Sequence, residues 1–308
     1  MGLKVFISGA GGYLGSVLAS QLASMPEIDN ITGIDTASRP SALPEKVKFI
    51  TMDIRSPELA DAMSGHDLVI HTAGIVQWRA EMPEEVRDDI NLNGTRNIAQ
   101  AAVKNRVRGF LQASSVTAYD HTQVQGKEDL SEDTPIGNGD SPMYYWNCKS
   151  LAERILSDTL ASSKIALTLF RIGTIVGPSR PSTVQNIREN AVLITGHNPR
   201  TQYIHENDVA QAFMLAIRTD MPGAFNVVTD GVIRMSEVYN IIGVEPTTVP
   251  LWKAQSTSFF RWRYQNAPLH PSWIQSFLII DFTLSNAKLK AAGWKPAYKS
   301  AEAIRTAL

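Results

Sequence analysis

The amino-acid sequence predicts an α/β fold in which helices cover both faces of a doubly wound parallel sheet, followed by a smaller C-terminal lobe. Short hydrophobic runs rich in β-branched residues alternate with helical segments, which is the pattern of a parallel α/β sheet. The runs are almost continuously apolar, as expected for strands that are buried on both faces. A glycine-rich turn connects the first run to the first helical segment, and such a turn is typical of the first unit of this fold.

Each element follows from the local pattern. Six strands are predicted before residue 175, at residues 5–8, 31–35, 47–53, 67–71, 110–114 and 167–171. Three helices are predicted between them, at residues 12–24, 84–105 and 144–162. Further on, where Pro and Gly become frequent, a helix at 206–218 and a strand at 224–229 are still predicted. We therefore assign residues 1–174 to a sheet domain, to which some later segments return, and residues 175–308 mainly to a smaller substrate-binding lobe.

The segment 251–282 of this lobe is rich in aromatic side chains. They are Trp252, Phe259, Phe260, Trp262, Tyr264, Trp273, Phe277 and Phe282. Such residues either line an apolar pocket or form the core of the lobe, and the sequence leaves both interpretations open.

Composition and charge exclude several classes of protein. The chain of 308 residues has 44% hydrophobic and 19% charged residues, which is typical of a globular protein. Its formal net charge of -1 predicts no nucleic-acid partner and no general attraction to an anionic membrane. No apolar run is long enough to span a bilayer, and the N-terminus lacks the features of a signal peptide, so a cytoplasmic location is expected. The single cysteine, Cys148, excludes an intrachain disulfide, and the histidines lack metal-ligand spacing, so no metal is expected.

The glycine-rich turn has the spacing of a dinucleotide-binding loop. Gly9, Gly12 and Gly15 follow the first strand and open the first helix. These glycines allow a tight turn, the close approach of a pyrophosphate and close packing of the helix on the strand. The first turn of the helix, at Tyr13 and Leu14, then offers free N–H groups and a partial positive charge to the phosphates.

Asp35 predicts the choice of cofactor. It ends the second strand, twenty residues after Gly15. A carboxylate at this position accepts hydrogen bonds from both ribose hydroxyls of NAD and repels the 2′-phosphate of NADP. The nearby Arg39 offers an alternative partner for that phosphate. The sequence therefore favours NAD, with NADP as the less favoured cofactor.

Three residues form a candidate catalytic set. Tyr145 and Lys149 are four residues apart on a predicted helix, so both side chains lie on one helical face. An ammonium group near a phenol stabilises the phenolate, which makes the pair a general base for a hydroxyl or a general acid for a carbonyl. Ser114 and Ser115 end the fifth strand, where open α/β sheets bind their ligands, so Ser115 is placed to bond the reacting oxygen.

Together these residues resemble the extended short-chain dehydrogenase/reductase family, in particular its NAD-dependent epimerase/dehydratase branch. The resemblance extends over most of the chain. Further motifs carry it: Asp53-Ile54, His71-Thr72-Ala73-Gly74, Asn91-x-x-Gly94-Thr95, Glu153, Arg171, Gly177-Pro178 and Tyr203-Ile204-His205-x-x-Asp208-Val209-Ala210. Each motif is modest by itself, but their order and spacing together are specific.

The resemblance implies a Rossmann-type sheet domain that binds NAD. In the family, the Asp at the position of Asp53 contacts the adenine, and the strand end at Thr72 lies under the cofactor. The residues implied to bind the cofactor are Gly9, Gly12, Tyr13, Leu14, Gly15, Asp35, Asp53, Ile54, Thr72, Ala73, Gly74, Asn91, Tyr145 and Lys149.

The resemblance also assigns the catalytic and substrate positions. Ser115, Tyr145 and Lys149 fall on the catalytic positions of the family. Thr117 and Thr174, together with Ser115, are expected to contact a small-molecule substrate. Family members often form dimers through two long helices, so a homodimer through the second and third predicted helices is expected.

Departures from the family pattern bear on the reaction and the substrate. The Asp-Glu pair of family dehydratases is replaced by Val116-Thr117, and the Glu of the decarboxylases is absent, so elimination and decarboxylation are not expected. The Arg that helps to hold a nucleotide diphosphate is replaced by Thr201, with Arg200 one place away. The family favours an epimerase of nucleotide sugars. The missing Arg favours a dehydrogenase or reductase of a less charged, hydroxysteroid-like or dihydroflavonol-like substrate, and both remain open.

The predicted chemistry is hydride transfer at a secondary alcohol or ketone carbon. Tyr145, aided by Lys149, removes the alcohol proton, Ser115 orients the oxygen, and hydride passes to the nicotinamide. An epimerase returns the hydride to the opposite face, whereas a dehydrogenase or reductase releases the product. A protein that senses NAD(P) without catalysis is a disfavoured alternative, because such proteins typically lose the Tyr or the Lys.

Overall fold

The computed structural model describes residues 2–267 and 269–308, and its centre is a seven-stranded parallel sheet. The strands in chain order are β1 (Leu3–Ser8), β2 (Ile28–Asp35), β3 (Val47–Thr51), β4 (Leu68–His71), β5 (Gly109–Ser115), β6 (Ala166–Ile172), β7 (Thr174–Val176), β8 (Val192–Ile194), β9 (Arg200–Thr201), β10 (Tyr203–His205), β11 (Gly223–Val227), β12 (Ile233–Arg234) and β13 (Thr247–Val249). The sheet order is β3-β2-β1-β4-β5-β6-β11, with every neighbouring pair parallel. The order reverses between β1 and β4, which is where open α/β sheets bind ligands.

Helices pack on both faces of the sheet, which confirms the predicted α/β class, and further helices belong to the smaller lobe. In chain order they are α1 (Tyr13–Ala23), α2 (Leu59–Ala62), α3 (Glu84–Asp88), α4 (Gly94–Asn105), α5 (His121–Val124), α6 (Tyr144–Leu160), α7 (Ser182–Glu189), α8 (Glu206–Thr219), α9 (Met235–Ile242), α10 (Leu251–Tyr264), α11 (Ser272–Leu278), α12 (Ala287–Ala291) and α13 (Ser300–Arg305). A π-helical turn, Asp89–Asn93, joins α3 to α4, and a 3₁₀ turn, Val116–Ala118, follows β5. The helix predicted at 84–105 is therefore one helical segment that contains a π turn.

Two hydrophobic cores lie on opposite faces of the sheet. Ile7 of β1 packs on the face covered by α1 and α8, together with Leu18 and Phe213. The preceding residue, Phe6, packs on the other face with Phe110 and residues of α4 and α6. Successive residues of one strand are thus both buried, which accounts for the continuous apolar runs. Full burial of each such side chain contributes about 1.5–3 kcal/mol.

The smaller lobe is built from short elements that follow β6. The pairs β7–β10, β8–β13 and β9–β12 form small sheets, and α7, α9 and α13 pack around a core that includes Tyr203, Val238 and Ile304. The predicted helix at 206–218 and strand at 224–229 correspond to α8 and β11, which return to the sheet domain. The short strands were not predicted, because two or three residues are too few to show a period of two.

Candidate active site

The glycine-rich turn is tightly packed between β1, α1 and the end of β4. Gly9 has a positive φ of 76°, and a Cβ atom there would lie 2.6 Å from the backbone nitrogen of Ala73. A Cβ atom on Gly15 would lie 2.0 Å from the carbonyl oxygen of Gly9. Neither contact is possible for a side chain, so both positions require glycine.

The N-terminus of α1 fits an anionic group. The N-cap residue, Gly12, provides no side-chain cap, and the first turn carries no acidic side chain. Its N–H groups and the positive end of the helix dipole therefore have no anionic partner from this helix. The N–H groups of Tyr13 and Leu14 can accordingly hold a pyrophosphate, whereas the N–H of Gly12 donates a hydrogen bond of 3.0 Å to the Gly9 carbonyl. The cofactor contacts implied for this turn stay predictions.

The side chain of Tyr13 bonds Glu206, whereas the predicted phosphate contact involves the backbone N–H of this residue. Its hydroxyl donates a hydrogen bond of 2.5 Å to Oε2 of Glu206, at the start of α8. Burial and the adjacent Glu206 carboxylate raise the pKa of Tyr13 above its ordinary value, so the phenol stays neutral. Glu206 also accepts a bond of 2.6 Å from the hydroxyl of Ser179. The side chain of Tyr13 therefore ties α1 to the start of α8 and, through Glu206, to Ser179.

Asp35 lies beside the turn, at the carboxyl end of β2. Its Oδ2 accepts a hydrogen bond of 3.0 Å from the N–H of Gly11, and its Oδ1 accepts one of 3.0 Å from Ala37. The guanidinium of Arg39 instead donates to the backbone carbonyls of Val47 and Leu43, at 2.6 and 2.9 Å. The Asp35 carboxylate thus lies beside the glycine-rich turn, whereas the Arg39 guanidinium is already bound by backbone carbonyls.

Asp53 and Ile54 follow β3 and have separate surroundings. The carboxylate of Asp53 is partly exposed and pairs with Arg55 at 2.6 Å, which holds the pKa of Asp53 below its usual range. Arg55 also pairs with Asp89 at 2.8 Å. Ile54 is buried against Gly94, where a Cβ atom would lie 2.5 Å from its Cδ1 atom. The adenine contact implied for Asp53 stays a prediction.

The end of β4 is fastened to β1. Thr72 donates a hydrogen bond of 2.7 Å from its hydroxyl to the carbonyl of Ser8. The buried ring of His71 bonds the hydroxyl of Ser8 at 2.6 Å and that of Thr95 at 3.0 Å. Burial and the positive charge of Lys149 lower the pKa of His71 to about 3, so the ring is neutral. These bonds hold the strand end, with Thr72 and the following residues, at the switch point of the sheet.

Asn91 connects the loop after β4 to the start of α6. Its Oδ1 accepts a hydrogen bond of 2.7 Å from the N–H of Ile75, and its Nδ2 donates bonds of 3.1 Å to the Ile75 carbonyl and to the Tyr144 hydroxyl. The amide is therefore used for positioning, and the direct cofactor contact implied for Asn91 stays a prediction.

Tyr145 and Lys149 line one narrow cleft between the ends of β4 and β5 and helix α6. Gly74 and the buried Cys148 line the same cleft. Nζ of Lys149 donates a hydrogen bond of 3.0 Å to the carbonyl of Ala113 and lies 5.7 Å from the centre of the Tyr145 ring. The Lys149 ammonium is thus held beside the Tyr145 ring.

Ser115 is buried at the end of β5 and caps the 3₁₀ turn that follows. Its Oγ accepts hydrogen bonds from the N–H of Thr117 at 3.2 Å and from the Thr117 hydroxyl at 3.0 Å. The preceding Ser114 donates a bond of 2.5 Å to Glu153, which forms a buried ion pair of 2.9 Å with Arg171. This ion pair joins β5, β6 and α6 beneath the cleft.

The structure adds an aromatic wall that sequence reasoning did not assign to the site. The ring of Trp273, in α11, stacks on Tyr145 with centroids 5.6 Å apart, and Phe277 stacks on Trp273 at 4.9 Å. The richness of segment 251–282 in aromatic residues was the only signal for this wall. Neither interpretation holds for the whole segment: Trp273 and Phe277 stack beside Tyr145, Phe282 packs on a hydrophobic core, and Trp252, Phe259, Phe260 and Tyr264 are exposed.

A buried cation beside the cleft also escaped sequence reasoning. The guanidinium of Arg87, in α3, lies between the rings of Trp78 and Tyr144, at 4.2 and 3.6 Å from their centroids. Trp78 in turn stacks on His270 at 5.2 Å. Burial and the charge of Arg87 lower the pKa of His270 to about 4. Nothing in the local pattern around these residues indicates that they meet.

Thr174 and Arg200, which the sequence connects with substrate binding, lie in the short strands that follow β6. Thr174 starts β7 and pairs in register with Tyr203. Arg200, the residue one place away from the expected diphosphate ligand, pairs with Asp281 at 2.8 Å and with Glu128. Its charge is therefore already compensated within the chain. In residues 2–267 and 269–308 no three His, Cys, Asp or Glu side chains gather into a group that would hold a metal ion.

Known proteins share this sequence pattern and this fold. A sequence model described as the NAD dependent epimerase/dehydratase family matches residues 5–228. Uncharacterized proteins of Mycobacterium tuberculosis and Mycobacterium bovis are 25% identical to the chain over 260 residues, which cover 80% of this chain and 67% of theirs.

Solved structures with the same fold bind nucleotide sugars or NAD. A UDP-glucose 4-epimerase from Thermotoga maritima, with UDP-glucose, superimposes with a TM-score of 0.78 at 17% identity, over 99% of this chain and 97% of that chain. The UDP-glucose 4-epimerase of Thermus thermophilus, in complex with NAD, gives 0.74 at 22% identity, over 99% and 97%. MoeE5 in complex with UDP-glucuronic acid and NAD gives 0.76 at 19% identity, over 98% and 97%. At these identities the likeness establishes the shared fold.

Proposed function

The chain belongs to the NAD dependent epimerase/dehydratase family, and we propose that it binds NAD and transfers hydride at a secondary alcohol or ketone carbon of a small-molecule substrate. The observation that carries this proposal is the pairing of Tyr145 with Lys149 in the cleft at the ends of β4 and β5. Lys149 is held there by the Ala113 carbonyl, 5.7 Å from the centre of the Tyr145 ring.

The residues of the chain divide the chemistry as follows. The Lys149 ammonium stabilises negative charge on the Tyr145 oxygen, so Tyr145 takes the proton from an alcohol or returns it to a carbonyl. Ser115 orients the reacting oxygen, because its Oγ accepts the bonds from Thr117 and its own O–H is left to donate to the substrate. When bound, NAD supplies the hydride acceptor. The aromatic wall at Trp273 excludes water from this side of the cleft.

The cofactor part of the proposal rests on two features of the sheet edge. The uncapped N-terminus of α1 offers N–H groups to a pyrophosphate. Asp35 borders the same turn and favours a ribose that carries free hydroxyls. Arg39 is held by backbone carbonyls, which supports NAD over NADP.

Two substrate classes follow from different observations. The solved relatives with UDP-glucose or UDP-glucuronic acid support a nucleotide-sugar 4-epimerase, in which the hydride returns to the opposite face of the sugar. The ion pairs of Arg200 with Asp281 and Glu128, and the stacking of Trp273 on Tyr145, support a dehydrogenase or reductase of a less charged, apolar substrate.

Analysis of the bound cofactor tests the proposal and separates these two classes. The purified protein is denatured, and the released small molecules are assayed for NAD and NADP. Near-stoichiometric NAD would support an epimerase that recycles its cofactor internally. An empty protein that binds added NADH more tightly than NADPH would support a dehydrogenase or reductase. Failure to retain or bind either cofactor would contradict the proposal.

A further inference from the structure

Helix α10 presents one strongly aromatic face to solvent. Its inner face packs on the molecule, where Nε1 of Trp262 donates a hydrogen bond of 3.0 Å to the carbonyl of Trp78. Its outer face leaves large rings uncovered: Trp252, Phe259, Phe260 and Tyr264 are 69%, 49%, 53% and 68% exposed. Folded proteins rarely leave such rings exposed together unless the patch binds something.

The exposed rings and two cations form a single surface. Trp252, Phe260 and Tyr264 fall in one row of the helix at spacings of four and eight, with Phe260 and Tyr264 in contact at 5.2 Å. Phe259 and Arg263 form a neighbouring row. Lys253 lies on the same side of the helix as Phe260, about two turns before it. We call the set of Trp252, Lys253, Phe259, Phe260, Arg263 and Tyr264 the aromatic–basic face.

Charge is distributed unevenly around this face. Residues 246–280 contain Lys253, Arg261 and Arg263 but no Asp or Glu. The other 273 residues carry 26 basic and 30 acidic side chains, so the overall charge of -1 conceals a local positive segment. Among the described residues, no ion pair involves these three cations. Arg261 instead donates a hydrogen bond of 2.7 Å to Asn190.

We propose that the aromatic–basic face docks the protein on the surface of an anionic lipid bilayer, with α10 lying in the plane of the headgroups. Trp and Tyr rings prefer the membrane–water interface, and Lys and Arg side chains are attracted to an anionic lipid surface. None of the helices in the described residues has the length and apolar character to cross a bilayer, and α10 has 14 residues, so the attachment is interfacial.

A bilayer fits this face better than a protein partner does. Lys is depleted in the cores of protein interfaces, whereas here the exposed Lys253 directly follows Trp252 on α10. Acidic side chains, which an anionic surface would repel, are absent from the whole segment. The overall charge predicts no general attraction of the protein to anionic membranes. The proposed attraction is local and comes from α10 alone. It does not depend on the proposed catalytic function.

Vesicle sedimentation tests the proposal on the full chain. Wild-type protein is mixed with vesicles of phosphatidylcholine alone, or of phosphatidylcholine and phosphatidylserine in equal amounts, at about 0.1 M salt. We expect binding to the mixed vesicles that weakens in about 1 M salt, where charges are screened within about 3 Å. The variants F259S/F260S and K253E/R263E should each reduce binding at least tenfold.

The controls separate a docking surface from general effects of charge and folding. V232S and K295E alter exposed residues elsewhere and should leave vesicle binding unchanged. Thermal unfolding of each variant checks that its fold is intact. Absence of wild-type binding to mixed vesicles, or equal binding by folded K253E/R263E, would overturn the proposal. Self-association that F259S/F260S abolishes, without vesicle binding, would identify a second copy as the occupant and would also overturn it.

Discussion

Asp35 and Arg39 show how the structure adds support to a choice of cofactor that the sequence already favours. The sequence contains both a carboxylate for a ribose and a cation for a phosphate within five residues. In the structure the Arg39 guanidinium donates hydrogen bonds to the backbone carbonyls of Val47, Leu43 and Pro44, whereas the Asp35 carboxylate lies beside the glycine-rich turn. The hydrogen bonds that hold Arg39 depend on where these backbone carbonyls lie in the folded chain, and no local sequence pattern predicts their position.

The first prediction therefore concerns Asp35→Ser. Loss of the carboxylate removes hydrogen bonds between a charged group and the ribose, each of which contributes about 1.5–3 kcal/mol. We expect NADH affinity to fall roughly tenfold or more and NADPH affinity to rise, as measured by fluorescence titration. Glu45→Gln, at an exposed position before β3, is the matched control and should change neither affinity. Unchanged NADH affinity in Asp35→Ser would contradict the assigned role.

Tyr145 carries the second prediction at this scale. Tyr145→Phe removes the proton-transferring oxygen and keeps the ring that stacks on Trp273. We expect kcat to fall by roughly 10²–10⁴-fold, with NADH binding unchanged, since the loss is one of proton transfer. Turnover is measured with UDP-glucose and with a hydroxysteroid as test substrates.

The neighbouring tyrosine supplies the control for this experiment. Tyr144→Phe removes a hydroxyl that accepts a hydrogen bond from Asn91, outside the proposed proton path. A much smaller loss of kcat is expected. Equal losses in the two variants would show that the hydroxyl of Tyr145 has no special chemical role.

At the scale of elements, the long helical segment before β5 was predicted in extent but not in detail. The sequence predicts one helix at 84–105, whereas the structure inserts the π turn Asp89–Asn93 between α3 and α4. The turn holds Asn91 where its amide bonds both Ile75 and Tyr144. One extra residue in a single turn leaves the hydrophobic period almost unchanged, so the pattern cannot reveal it.

The contact of α1 with β1 gives the third prediction. In Gly15→Ala the new methyl group would clash with the Gly9 carbonyl, so α1 must move away from the glycine-rich turn. Overpacking of this kind costs about 1–3 kcal/mol, and the displaced N–H groups should weaken NADH binding. Both effects are measured, by urea unfolding and by titration. Ser20→Ala, at an exposed position of the same helix, should leave stability and binding unchanged; a Gly15→Ala protein that behaves the same way would contradict the packing argument.

The ion pair beneath the cleft gives the fourth prediction. Glu153 and Arg171 are both buried, and Glu153 also accepts the hydrogen bond of Ser114. Glu153→Gln leaves the Arg171 charge without an anion, which costs about 3–5 kcal/mol of unfolding free energy in buried pairs. Urea unfolding measures this loss. Asp61→Asn, in the exposed pair with Lys104, should have little effect, and a similarly small effect of Glu153→Gln would mean that Arg171 finds another partner.

At the scale of the whole molecule, the sequence predicts what is local or periodic and misses what only tertiary packing creates. The six early strands, the glycine turn and the Tyr145–Lys149 spacing are each readable within a few residues. Trp273 reaches Tyr145, and His270 reaches Trp78, only because the smaller lobe folds back over the sheet. The net charge of the whole chain also hides a local feature, because it averages the segment 246–280, which has no acidic residue, with the rest of the chain.

The buried histidines give a prediction for the stability of the whole molecule against acid. Burial lowers the pKa of His71 to about 3 and of His270 to about 4, and also lowers those of His66 and His205. Each of these rings is neutral in the folded protein, whereas an unfolded chain binds a proton near pH 6.5. The stabilisation is thus fully present above about pH 6.5 and is lost as the pH falls toward the folded-state pKa.

We therefore expect the free energy of unfolding to decrease between about pH 6.5 and pH 5, by up to about 1.4 kcal/mol per pH unit for each such histidine. Urea unfolding at several pH values measures this slope, above the range where most carboxylates titrate. His71→Asn should be less stable at neutral pH, because the bonds to Ser8 and Thr95 change, but its slope should be shallower. His197→Asn, at an exposed position, should retain the wild-type slope. If His71→Asn also retains it, the His71 ring binds a proton as readily in the folded protein as in the unfolded chain, and the acid sensitivity must come from the other three rings.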